Sequence, residues 1–193
     1  GGQWLGEYVS VDINVSYVES SQDDDGLRFD DTHLAVALGN WSAAVSTKER
    51  WWGPSWDGSL ILSNNARPMP AVVFDRIFTD AFETKWLSWL GPWDLTVIFG
   101  QLEEERHVPN AQFFGTRFNF RPVQSLELSV FRTALWCGDG RPCDFDTFLD
   151  LLVGRDNRGD EGIDSSNEPG DQLAGLDFRW TPGFLGHTTS LYG

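Results

Sequence analysis

No stretch of this 193-residue chain is apolar for long enough to cross a membrane as a helix, which takes roughly 20 consecutive residues. Leu34 to Leu38 is typical of its longest apolar runs. Positive charge is scarce: 14 Lys and Arg stand against 29 Asp and Glu, a formal net charge of −15. That balance disfavours nucleic acid and anionic lipid surfaces as electrostatic partners. It also makes an acidic polysaccharide an awkward ligand unless Arg side chains cluster locally or cations bridge. Histidine is rare, and His33, His107 and His187 lack the spacing of a metal site. The two cysteines have no second pair and no neighbouring His, which argues against zinc. No nucleophile elbow, phosphate-binding loop or metal-ligand spacing occurs, so no catalytic residue, metal or organic cofactor is called for. No secretory leader precedes Gly1-Gly2-Gln3, so export is not legible in the chain itself.

Aromatics are abundant instead, with ten Trp and 14 Phe. Membrane-barrel girdles or carbohydrate contacts would account for them. Many sit in segments that alternate with a period of two, the pattern of strands with one apolar and one polar face. Val9, Val11, Ile13, Val15 and Tyr17 alternate with Ser10, Asp12, Asn14 and Ser16. Further strands are expected over Arg28 to Leu38, Trp41 to Lys48, Ala71 to Thr79, Trp93 to Glu103, Phe114 to Phe120, Leu126 to Val130 and Ala174 to Trp180. Pro122 to Ser125 should turn an antiparallel hairpin. Ala81 to Leu90 reads equally as a strand or a short helical turn. No internal repeat or domain boundary is visible, so residues 1–193 read as a single domain.

Phe114, Phe118 and Phe120 share one face, and Gly115, Arg117, Asn119 and Arg121 the other. A soluble sandwich would turn the aromatics inward and the arginines to water. An outer-membrane barrel puts the aromatics in lipid and the arginines in a wet lumen, and the alternation is the same in both cases. Arg132 breaks the pattern of its strand. On a lipid-facing surface at mid-bilayer it would cost roughly 2–4 kcal/mol, so it is expected near an interface or past a bulge.

The most unusual stretch is Glu49 to Pro70, ERWWGPSWDGSLILSNNARPMP. Trp51, Trp52 and Trp56 are broken by Gly53-Pro54 and closed by Asp57-Gly58, a turn signal. Leu60 to Leu62 resumes an extended run, followed by Asn64, Asn65 and Arg67. Indole faces beside amides and a guanidinium are what a sugar-binding surface needs. The same cluster would also serve to anchor a membrane interface or seal a core turn.

With Gly91-Pro92-Trp93, Gly100 to Glu103, Arg117 to Phe120, Trp136-Cys137-Gly138, Gly154 to Asn157, Glu168-Pro169-Gly170 and Gln172 to Gly175, this stretch resembles the capsule assembly Wzi family. The matching blocks run in order along nearly the whole chain. The resemblance implies an outer-membrane protein of the bacterial surface that holds capsular polysaccharide without catalysis. It also implies an antiparallel β-barrel of about eighteen strands with associated helices. Family members are more than twice as long, so the chain looks like an internal piece, an all-β partial barrel with one short helix. The implied partners are capsular or extracellular polysaccharide and outer-membrane lipid. A lectin-like surface over Trp51, Trp52, Trp56, Asn64, Asn65 and Arg67 is the expected site. A glycoside hydrolase built on carboxylates such as Glu103, Glu104, Glu105, Asp156, Asp160 or Glu168 is the alternative, as is a porin-like channel.

Cys137 and Cys143 enclose five residues, including two Gly and one Pro, and should form a small disulfide ring in an oxidising compartment. A ring of this size stabilises by only about 2 kcal/mol. Asp144 should cap a helix whose Phe145, Phe148, Leu149 and Leu152 form one apolar stripe, expected to pack on the barrel mouth. Arg155 to Gln172 reads as a long polar loop, and Asp23 to Asp25 as part of a solvated one.

Overall fold

A computed structural model describes residues 1–19, 26–55, 58–154, 170–183 and 189–193. Asp23 to Asp25, Trp56, Asp156, Asp160, Glu168 and His187 lie outside the described residues.

The alternating segments form strands β1 (Gly2–Leu5), β2 (Val9–Ile13), β3 (Ser16–Tyr17), β4 (Leu27–Arg28), β5 (His33–Leu38), β6 (Trp41–Ser46), β7 (Ala71–Arg76), β8 (Trp93–Gln101), β9 (Gln112–Val123), β10 (Leu126–Trp136), β11 (Gly170–Trp180) and β12 (Leu191–Tyr192). Ten join one antiparallel sheet in the order β1-β2-β5-β6-β7-β8-β9-β10-β11-β12, and β3 pairs with β4 apart from it. The sheet is not closed; β1 and β12 are its edges. The short turns Gly39-Asn40 and Gln124-Ser125 lie at one end, together with the 77–92 connection. Connections 47–70, 102–111 and 137–169 leave from the other, the loop end.

Register follows from the period-two pattern, because a slip of one residue would reverse every side chain. Leu95, Phe118 and Val130 align across β8, β9 and β10 on one face. Ile98, Gly115 and Thr133 align on the opposite face. The first of these faces is apolar throughout and largely uncovered; Val45 is 60% exposed and Leu176 67%. We call it the outer face. Aromatic rings gather at both of its ends. At the turn end Trp93 stacks on Phe82 at 4.4 Å, Trp89 meets Phe120 edge-on at 6.3 Å, and the Arg76 guanidinium lies 3.8 Å over Trp93. At the loop end Phe99 lies 5.2 Å from Phe114, and Trp136 4.9 Å from Phe148.

Several elements depart from the sequence reading. The strand expected over Val9 to Tyr17 ends at Ile13, because Asn14 is clamped to Thr32: its amide donates to Thr32 Oγ1 at 3.0 Å, and that hydroxyl donates back to Asn14 O at 3.0 Å. The Arg28 to Leu38 strand is interrupted at Asp30-Asp31, where Asp31 adopts φ 65°. Leu60 to Leu62 is loop rather than strand, Ser88–Leu90 is a single 3-10 turn, and β11 begins at Gly170, inside the expected loop.

The helix α1 (Phe145–Leu152) starts where Asp144 accepts hydrogen bonds from Thr147 N and Oγ1, both at 2.9 Å. It does not pack on a barrel mouth. Its fully buried Leu151 and the Phe148 ring lie on the outer face, against Phe114, Ala134, Val97 and Trp136. This explains Arg132, which sits on the same apolar face. Its guanidinium donates to the carbonyls of Leu151 and Leu152 and to Gln172 Oε1. The last carbonyls of a helix lack intrahelical donors and carry the negative end of its dipole, so a cation there is stabilised. The only register irregularity between β9 and β10 falls at Leu126/Leu128, away from Arg132, so a bulge is not the device that accommodates it.

Arg132→Leu should leave the sheet intact and release the helix, raising amide exchange over residues 147–154 above wild type while β9 and β10 keep their protection. The Thr147 hydrogen bonds hold the Asp144 carboxyl below its usual range. A lowered folded pKa stabilises above the unfolded value of about 3.9 and is lost as pH falls through the folded value. Exchange at Thr147 should therefore accelerate below about pH 4 in wild type and show no such step in Asp144→Asn.

Candidate functional site

The Trp-rich loop folds onto the inner face of the sheet. It closes as a narrow hairpin: Trp52 N donates to Leu62 O at 2.9 Å and Leu60 N to Trp52 O at 3.0 Å. The Trp52 ring enters a slot formed by Val73, Ile98, Phe113 and Phe131 and is 6% exposed. Gly115 makes that slot possible, since a Cβ there would lie 2.9 Å from the Trp52 ring. Trp52 therefore takes the scaffold role and is corrected as a sugar contact; its faces are spent on core packing.

The remaining candidates separate. Trp51, Asn64 and Asn65 line an open cavity of about 610 Å³ with Pro54, Ser55 and Arg179. Trp51 Nε1 donates to Ser55 O at 3.0 Å, and Ser55 Oγ accepts from Gly58 N at 2.9 Å, so the turn that carries the indole is internally braced. Arg179 belongs to the turn end of β11, opposite Glu127 across the pair, and its Nη2 lies 2.7 Å from Glu127 Oε2. Arg67 lines a different cavity, of about 310 Å³, with Lys48, Arg50, Met69, Arg106 and Leu135. Its Nη2 is 3.6 Å from Asp30 Oδ1. Six neighbours in sequence thus do not converge on one contact surface.

Arg117 projects to the inner face, as its alternation requires, but not into open water. It is 8% exposed beside Asp177 at 1%. One Arg117 Nη2 reaches Asp177 Oδ2 at 2.7 Å, Oδ1 at 3.0 Å and Ser129 Oγ at 2.9 Å, while Nε donates to Asn119 Oδ1 at 2.8 Å. The wet lumen expected around Arg117 is replaced by a sealed ion pair. Arg50 fastens the loop's entry through Lys48 O at 2.9 Å and Ser46 O at 3.4 Å. Burial lowers its guanidinium pKa, and Asp75 opposes that shift.

Lys48, Arg50, Arg106 and Arg179 were not singled out from sequence. They are dispersed over the chain, and the signal that would have drawn attention to them is the scarcity of positive charge itself. Glu103, Glu104 and Glu105 are exposed on the 102–111 connection, with Glu103 3.4 Å from Arg106.

The family described as Capsule assembly protein Wzi matches residues 3–193. The chain belongs to the Wzi family. It is 38% identical over 191 residues to an uncharacterised 55.8 kDa protein in the cps region of Klebsiella pneumoniae, covering 97% of this chain and 37% of that protein. The structure of Wzi, an outer membrane protein involved in group 1 capsule assembly in Escherichia coli and a carbohydrate binding β-barrel, superposes with a TM-score of 0.77 at 31% identity. That match covers 92% of this chain and 37% of Wzi, so the chain spans just over a third of the length of either relative. The open sheet is accordingly the wall of a partial barrel of the Wzi type.

Breaking the Arg117–Asp177 pair leaves a buried, uncompensated charge, which costs about 3–5 kcal/mol. Asp177→Ala should lower the urea unfolding midpoint by that equivalent, and Arg121→Ala, at an exposed pair, should leave it unchanged within about 0.5 kcal/mol.

Proposed function

We propose that the chain is a wall segment of an outer-membrane barrel that binds capsular or extracellular polysaccharide and promotes its attachment to the cell surface, without catalysis and without an organic cofactor. The observation that carries this reading is the uncovered apolar face ringed by aromatics at both ends. The 11 residues of β10 run roughly 33 Å, and a tilt of about 40° reduces this to roughly 25 Å, the height of a barrel's apolar band. Water is a poor medium for a patch that large, and outer-membrane lipid is a good one. Barrels of this class carry short turns on the periplasmic side and long loops outside, which directs the 47–70, 102–111 and 137–169 connections to the cell surface.

Polysaccharide contact is assigned to the loop hairpin and the cavities on its two sides: Trp51, Asn64 and Asn65 on one, Arg67 on the other, with Trp56 in the same turn by sequence. An indole removes apolar sugar faces from water, and amides pair with hydroxyls. Cys137 and Cys143 are bonded, with Cα atoms 4.4 Å apart, a linkage suited to an oxidising envelope compartment.

Capsule retention on cells, measured beside the amount of inserted barrel, separates binding from scaffold. Trp51→Ala and Arg67→Ala should insert normally and hold less capsule. Trp52→Ala should lose about 3–5 kcal/mol of stability and reduce the inserted amount, with capsule falling in proportion. If Trp51→Ala and Arg67→Ala retain wild-type capsule at wild-type insertion, the loop is scaffold alone. Denatured, unreduced protein from the envelope should show no thiol reactive at Cys137 or Cys143.

A further inference from the structure

Positive charge is scarce in this chain but not scattered on its surface. The cavity beside Arg67 and a second one of about 290 Å³ share Leu102, Arg106, Leu135 and Asp171, and so form one groove at the loop end. Lys48, Arg50, Arg67, Arg106 and Arg141 line it, five of the chain's 14 basic residues. Only Glu49 and Asp171 among 29 acidic residues do so. Its floor is apolar, from Ile61, Leu62, Met69 and Leu173.

The groove is built rather than incidental. Burial dehydrates Arg50, which lies against the inner face and is held by the Ser46 and Lys48 carbonyls. The disulfide ring brings up Arg141: Arg141 N donates to Gly138 O at 3.2 Å, and Asp139 N to Pro109 O at 3.0 Å, docking the ring on the 102–111 connection that carries Arg106. Lys48 lies 3.7 Å from Asp12, Arg67 3.6 Å from Asp30 and Arg106 3.4 Å from Glu103, pairs that are partly exposed and weak enough to exchange for a ligand carboxylate.

Resting on the polysaccharide reading above, we propose that this groove is a subsite for a carboxylate-bearing sugar unit, such as a uronate. Guanidinium groups match a carboxylate in a two-pronged geometry, and the apolar floor accepts the sugar's CH face. A protein of net charge −15 repels an acidic glycan at long range, so affinity depends on a local reversal of potential of this kind. The Trp51 cavity, with amides and an indole but one cation, suits the neutral units of the same chain.

The test uses the intact protein in detergent micelles and two oligosaccharide probes of one sequence, a uronate-containing form and the same form with its carboxyls reduced to hydroxymethyl groups. The uronate form should bind about tenfold tighter at low salt and lose that advantage at high salt. Arg106→Gln, on an exposed connection where folding is not at stake, should remove most of the difference while leaving binding of the reduced probe unchanged, and Arg67→Gln should act alike. Equal binding of the two probes, with no effect of either variant, overturns the subsite while the polysaccharide reading stands. Binding of neither probe, by protein that is correctly folded, overturns both. Tight binding of inorganic phosphate that displaces the uronate probe, with no loss in Arg106→Gln, also overturns the subsite.

Discussion

Insertion of Trp52 into the slot over Gly115 is the contact on which the inner face depends. Without it the 47–70 connection has no apolar purchase, and Val73, Ile98, Phe113 and Phe131 face an open space. Burying an indole among four such side chains removes roughly 150–250 Å² of apolar surface from water. The hairpin that the ring pins in place then divides the inner side into two cavities, one with Trp51, Asn64 and Asn65 and one with Arg67. Scaffold and candidate contact residues therefore sit in one loop, one residue apart in the case of Trp51 and Trp52. The buried Arg117–Asp177 pair lies on the same inner face and is satisfied there by Ser129 and Asn119 instead of water.

The outer face obeys the opposite rule. It carries uncovered Val, Leu and Phe side chains, and its single arginine before the rim, Arg132, is neutralised by the carbonyl end of α1. The helix and the cation need each other: the helix covers a charge that lipid would not tolerate, and the charge satisfies carbonyls that lipid would not solvate. Phe148 joins the same patch to the aromatic ring at the loop end.

Much of this was legible in the sequence where a local pattern determines structure. The alternation of β8 and β9, the Pro122 to Ser125 turn and the capped helix with its bounds are set by neighbours two to four residues away, and they stand as read. Strand breaks at Asn14 and Asp30 were not legible, because each depends on a partner distant in the chain, Thr32 for one and a left-handed Asp31 for the other. Arg132 was recognised as an anomaly, yet its resolution needed the helix to lie on the outer face, which no periodicity states. In the candidate site the residue types were right for carbohydrate, but adjacency along the chain did not mean adjacency in space. Trp51 and Trp52 alternate to opposite sides of their hairpin strand, so one indole is core and the other is surface. The basic groove was hidden for the converse reason, since Lys48, Arg106 and Arg141 meet only after three connections converge.

The most direct measurement is depth-resolved accessibility of single spin labels on the intact protein in lipid bilayers, at alternate positions of β6 and β10. With the outer face in lipid, labels at Val45 and Val130 should respond to oxygen dissolved in the bilayer and be shielded from a water-soluble nickel complex. Labels at Ala44 and Ser129 should be shielded from bilayer oxygen, and the period of two should persist along both strands. Water-soluble quencher reaching Val45 and Val130 as readily as the loop ends would contradict a membrane wall, and with it the proposed place of this chain at the cell surface.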